Sequence, residues 1–126
     1  MRLGDTIVMR TPGSANPIEH LWFVITEPDV TTHHCAMVNL TTLRGDKDQT
    51  VVLGIADHDY ISHPSVVHYI GARIVDARQI RQSGSAGVLR MHQPCSIRTL
   101  RLIQAGVSAS PFTPKKVIEF CRRAWS

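Results

Sequence analysis

"HLWFVITEPDVTTHHCAMVNLTT", residues 20–42, decides how the chain reads. Residues 21–26 form a continuous apolar run closed by Glu27-Pro28-Asp29. Residues 35–40 form a second run that ends in Thr41-Thr42. Short runs enriched in Val, Ile, Thr and aromatic residues favour strands over helices. Outward from this stretch the pattern recurs at 6–9 (TIVM), 50–55 (TVVLGI) and 65–75 (SVVHYIGARIV). A turn-rich loop, TPGSANP, fills 11–17. Short strands at nearly regular spacing predict a small β-barrel or a strongly curved sheet.

After Asp76 the period changes. Residues 77–82 (ARQIRQ) can make a short helical turn, and SGSAG (83–87) reads as a flexible break. In IRTLRLIQAG (97–106), Ile97, Leu100 and Ile103 share one side and Arg98 and Arg101 another. This is an amphipathic helix capped by Ser96 and expected to end at Gly106. Thr113-Pro114 reads as a cap followed by proline at the first helical position. Beyond it, Val117, Phe120, Cys121 and Ala124 share a face. The expected organisation is one mainly β domain with C-terminal helices: a β unit over 1–82 and a helical extension over 83–126.

With 43% apolar and 19% charged residues among 126, the composition is globular. Three widely spaced cysteines (Cys35, Cys95, Cys121) form no CxxC pair. Their odd number favours reduced thiols and a cytoplasmic setting over a disulfide framework. No window carries the 18 or so apolar residues of a membrane span, and no membrane partner is expected. The net charge of +4 is unevenly placed. Residues 1–76 hold five Lys/Arg against nine Asp/Glu, whereas residues 77–126 hold nine against Glu119 alone. A basic C-terminal part is suited to an acidic partner such as nucleic acid or an acidic protein.

Four segments, in order, resemble the PemK/MazF-like toxin family of small SH3-like barrels that often cleave RNA. Gly4-Asp5-Thr6-Ile7-Val8 looks like the family's opening G-D-(I/V) strand. His20 to Thr26 stands where members have R-P-x-L-V-I-S. Val38-Asn39-Leu40-Thr41-Thr42 stands at the apolar strand ending in P-L-T-S. Residues 65–76 look like an S-x-(V/A) strand running into (I/T)-R-x-(I/V)-D. The resemblance covers roughly residues 4–80. It implies an SH3-like barrel, single-stranded RNA as substrate, an antitoxin protein as partner and a homodimer. Trp22 and Phe23 are large apolar candidates for the dimer junction, with the core the favoured home for at least one of them.

The resemblance also assigns roles. Family nucleases use an Arg before the second strand and a Thr after the third. Here Thr41 matches the Thr, with Thr42 beside it, and His20 stands in place of the Arg. His20 and Thr41 are thus the candidate catalytic residues. Thr42, Arg44, Lys47, Ser65 and Arg73 are the candidate substrate contacts. Attack by an RNA 2′-hydroxyl needs a proton acceptor, a proton donor and a cation near the phosphate. A histidine supplies either of the first two, and Arg44 or Lys47 the third. The reaction requires no metal or other cofactor. His33-His34-Cys35, and Asp57-His58-Asp59 with His63, match no zinc spacing. Asp46 and Asp48 in the same loop argue for local pairing of Arg44 and Lys47 instead. With the family Arg absent at position 20 and a basic C-terminal part, the alternative function is a catalytically degenerate SH3-like module that binds a protein or nucleic acid.

Overall fold

A computed structural model of the chain describes residues 1–85 and 89–126. These form seven antiparallel strands and three α-helices. The strands are β1 (Thr6–Arg10), β2 (Glu19–Val24), β3 (His34–Thr42), β4 (Val52–Leu53), β5 (Ser65–Val67), β6 (Arg73–Asp76) and β7 (Leu89–His92). The helices are α1 (Ala77–Ser85), α2 (Ile97–Ala109) and α3 (Lys115–Ala124). The sheet runs β4-β5-β3-β2-β1-β7, with β6 also on β3. Among the described residues its two edges, β4 and β7, do not pair, so the sheet is open along that line.

Both apolar runs of the opening stretch lie in the middle of the sheet, which explains their lack of polar alternation. Leu21, Phe23, Ile25, Ala36, Val38 and Leu40 face one side. There they meet Leu100, Ile103 and Val107 of α2 and Val117 and Cys121 of α3. Trp22, Val24, Cys35 and Met37 face the other side and meet Ala77 and Ile80 of α1. Trp22 and Phe23 are each 0% exposed, so neither can form a dimer junction; both belong to the core. Full burial of a side chain this large contributes more than about 1.5 kcal/mol.

The run 65–75 is interrupted. β5 pairs Leu40 with Val67 and β6 pairs Met37 with Arg73, so five residues (68–72) face two on β3 (38–39). The surplus folds into a single 3₁₀ turn, Tyr69–Gly71. Tyr69 lies inside, and its hydroxyl donates to the Ile103 carbonyl at 2.7 Å. Gly106 serves this contact. It does not end α2, which continues to Ala109; a Cβ at Gly106 would instead overlap the Tyr69 hydroxyl and ring. The glycine permits close packing of helix on sheet.

Three further expectations change. The segment beyond residue 82 is not purely helical: α1 extends to Ser85, and β7 pairs with β1 from Thr6↔His92 to Met9↔Leu89. The break expected at 83–87 therefore begins inside a helix, and its residues 86–87 lie outside the described residues. Pro114, not Thr113, occupies the cap position of α3, and the buried Thr113 hydroxyl finds no partner among the described residues. Ile97, at the first position of α2, is exposed rather than packed. Ser96 does cap α2, accepting from the Thr99 N–H at 3.1 Å. None of the described helices is long and apolar enough to cross a membrane.

Candidate functional site

β2 and β3 pair from Val24↔Met37 to Trp22↔Asn39. Beyond that, β3 continues along β5, pairing Thr41 with Val66 and Thr42 with Ser65. A groove of about 430 Å³ opens at this end. The start of β2, the end of β3 and the segment 60–63 wall it, and His20, Thr41, Thr42, Tyr60, His63 and Ser65 are among its lining. Strand pairing thus brings together four of the seven residues that the sequence nominates: His20, Thr41, Thr42 and Ser65.

His20 is half-buried, and its Nδ1 lies 3.1 Å from the Leu40 carbonyl oxygen. A carbonyl can only accept, so Nδ1 carries the proton. The neutral ring then keeps its lone pair on Nε2. Thr41 is half-buried beside it. Thr42 Oγ1 lies 3.0 Å from His63 Nε2, and Ser62 Oγ 3.1 Å from His63 Nδ1. The Ser65 hydroxyl donates to the His63 carbonyl at 3.0 Å, which fixes the approach of the 60–63 segment to β5. Glu19, the one carboxylate on the groove wall, pairs with Arg90 of β7 at 3.4 Å.

The wall at 60–63 is anchored by a buried histidine. His58 Nδ1 accepts from the Tyr60 N–H at 3.1 Å, and Nε2–H donates to the Gln93 carbonyl at 2.8 Å. Its ring also packs edge-on against Phe23 and, tilted, against His92. Read from the sequence, His58 and His63 form one polar cluster. In the fold they have separate jobs, one inside and one in the groove.

The three nominated cations are not among the groove lining. Arg44 is exposed in the loop after β3. Lys47, half-buried in the same loop, lies within electrostatic reach of His68. The proton affinity of His68 is lowered, first by burial and then by the charges of Lys47 and His20. The Asp48 carboxylate acts on His68 in the opposite sense. Among the described residues neither Arg44 nor Lys47 pairs with a carboxylate. Asp48 turns instead to α2 and accepts from the Ser110 hydroxyl at 2.6 Å, and from Thr50. Burial raises its proton affinity, but these bonds outweigh burial and hold the carboxyl below its ordinary range.

Arg73 stands apart. It pairs with Met37, four residues from Thr41 along β3 and so about 13 Å away. Its Nη1 donates to the Pro12 carbonyl at 3.0 Å and its Nε to that of Gly71 at 3.2 Å. The guanidinium lies 5.5 Å over the Trp22 ring. These contacts tie the 11–17 loop over the sheet.

Burial pushes the Cys35 and Cys121 thiols up to about 12, which leaves no thiolate for nucleophilic work. Compared with models of known families and with curated proteins, the chain matches none.

The sequence nominated neither His63 nor His68 for the site. His63 has a sequence-level signal: Thr42 and Ser65 both stand at strand ends, and pairing those ends brings His63 beside Thr42. His68 has none, because the three-residue surplus after β5 cannot be counted before the register is known.

Proposed function

We propose that the chain is a toxin-like endoribonuclease of the PemK/MazF type that cleaves single-stranded RNA. The observation that carries this reading is the Nδ1–H bond from His20 to the Leu40 carbonyl. It leaves Nε2 free as a proton acceptor in a groove that also holds the Thr41 and Thr42 hydroxyls. In this reading Nε2 takes the proton of the attacking 2′-hydroxyl, and Thr41 donates a hydrogen bond to the phosphate. Lys47, beside His68, supplies long-range attraction for the negative charge. A histidine proton acceptor takes the place of the arginine that family nucleases carry at this point. The family's SH3-like barrel, an antitoxin protein and a second copy of the chain belong to the same reading.

Purified protein incubated with a long single-stranded RNA, with and without chelator, tests it. Wild type is expected to cleave in both conditions. His20→Ala should lower the rate by about 10²–10⁴-fold, the usual worth of a positioned proton acceptor. Thr41→Ala should lower it as well. Intact RNA with wild type, or unchanged cleavage by both variants, would rule the reading out.

The exposed cations of the C-terminal helices favour a second reading, a non-catalytic module that binds nucleic acid or an acidic protein. Arg98, Arg101, Lys115, Lys116, Arg122 and Arg123 pair with no carboxylate among the described residues. Here affinity without cleavage is expected. Log affinity falling linearly with log salt would identify nucleic acid as the partner.

A further inference from the structure

Protein hydroxyls meet both ring nitrogens of His63: Thr42 Oγ1 at Nε2 (3.0 Å) and Ser62 Oγ at Nδ1 (3.1 Å). A hydroxyl can donate or accept. Both neutral tautomers and the imidazolium therefore find complete hydrogen bonding in the same place. His20 differs: its Nδ1 faces a carbonyl, which fixes one tautomer. A ring with a hydroxyl at each nitrogen is placed to pass a proton along that chain. The topology places it for this task. β2 and β5 flank β3, so His20 and His63 approach the Thr41–Thr42 strand end from opposite sides. They line the same groove.

We infer that His63 is the proton donor to the leaving group, acting through the Thr42 hydroxyl. This role rests on the endoribonuclease reading above. As the 2′-oxygen forms its bond to phosphorus, its proton passes to His20 Nε2. The bond from phosphorus to O5′ breaks with its electron pair going to O5′. Thr42 Oγ1 gives its proton to O5′ and takes one from Nε2 of the His63 imidazolium. The products are a 2′,3′-cyclic phosphate, a free 5′-hydroxyl, a protonated His20 and a neutral His63. Proton exchange with water then restores both rings. No oxidant, metal or second nucleophile enters the balance.

The test compares two short RNAs, one with the natural bridging 5′-oxygen and one with sulfur in that place. A thiolate leaves without needing a proton, so a missing donor is not felt with the sulfur substrate. On the oxygen substrate, His63→Gln and Thr42→Val should each lose about 10²–10⁴-fold, the range for general acid catalysis. Thr42→Ser, which keeps the hydroxyl, should stay near wild type. On the sulfur substrate both impaired variants should return to near the wild-type rate, while His20→Gln stays impaired on both. Such recovery would not follow from a merely structural role, and circular dichroism verifies that each variant is folded. The role is overturned if His63→Gln cleaves the oxygen substrate at the wild-type rate. Equal losses on both substrates overturn it too. If wild type leaves both RNAs intact, the endoribonuclease reading itself fails, an outcome distinct from failure of the variant alone.

Discussion

At His20 a single backbone carbonyl decides which nitrogen holds the proton, the point on which the proposed chemistry rests. Replacement by Asn keeps a hydrogen-bond donor near Leu40 but supplies no lone pair of comparable basicity. His20→Asn should therefore bind RNA like wild type and cleave it about 10²–10⁴-fold more slowly, read as kcat with KM unchanged. Gly106 is the residue whose role in the sequence is most misleading. A glycine closing an amphipathic period reads as a helix end, yet here it seats the Tyr69 ring. Gly106→Ala forces either ring or helix to move and strains the Tyr69–Ile103 bond. A loss of about 3 kcal/mol, at the upper end for overpacking, is expected in urea unfolding. Alanine has the higher helix propensity, so a gain in stability would contradict the packing role.

Among the elements, the 60–63 wall of the groove and the loop after β3 are each tied to the body by a buried or charged side chain. His58 ties the 60–63 wall to the chain after β7, and Asp48 ties the loop after β3 to the end of α2. Removing the Ser110 hydroxyl should cost about 1 kcal/mol, with Thr50 still holding Asp48. It should also speed amide exchange in residues 44–50 ahead of the rest of the sheet. Uniform exchange across loop and sheet would show that the link does not organise the loop. The strands were legible in the sequence because continuous Val/Ile-rich runs have few other homes than a sheet covered on both faces. The break at 68–72 was not, since nothing in SVVHYIGARIV distinguishes a long strand from two short ones. β7 was hidden for a related reason: Leu89 to His92 is short, partly polar and lies on an edge. His20, Thr41, Thr42 and Ser65 were nominated through the family resemblance, and strand pairing brings these four to one groove. Arg73 was misplaced because its distance from Thr41 depends on that same surplus.

For the molecule as a whole, two charge effects act in the same direction in different pH windows. His68 has its proton affinity held below the ordinary 6.5, so the unfolded chain takes up this proton before the folded one does. Stability should consequently fall as pH drops through about 6.5, and His68→Gln should flatten that part of the curve. Asp48 and Asp76 are shifted downward. Asp76 is lowered chiefly by its hydrogen bonds to Arg78, and its Oδ1 accepts from the Arg78 N–H at the start of α1. Their contribution is present above the ordinary carboxylate value of 3.8 and is lost as pH falls below it. Urea midpoints measured between pH 8 and pH 3 should show both steps; a midpoint constant down to pH 5 would remove His68 from the first. The basic C-terminal part, with nine Lys/Arg against Glu119 alone over residues 77–126, gives the molecule a field that attracts anionic partners, nucleic acid and acidic protein alike. The most direct test remains chemical. Wild-type protein is incubated with single-stranded RNA in excess chelator, and the ends of any fragments are identified. Fragments with 2′,3′-cyclic phosphate and 5′-hydroxyl ends, strongly reduced with His20→Asn, are the predicted result. Uncut RNA, or fragments produced equally by the His20 variant, would contradict it.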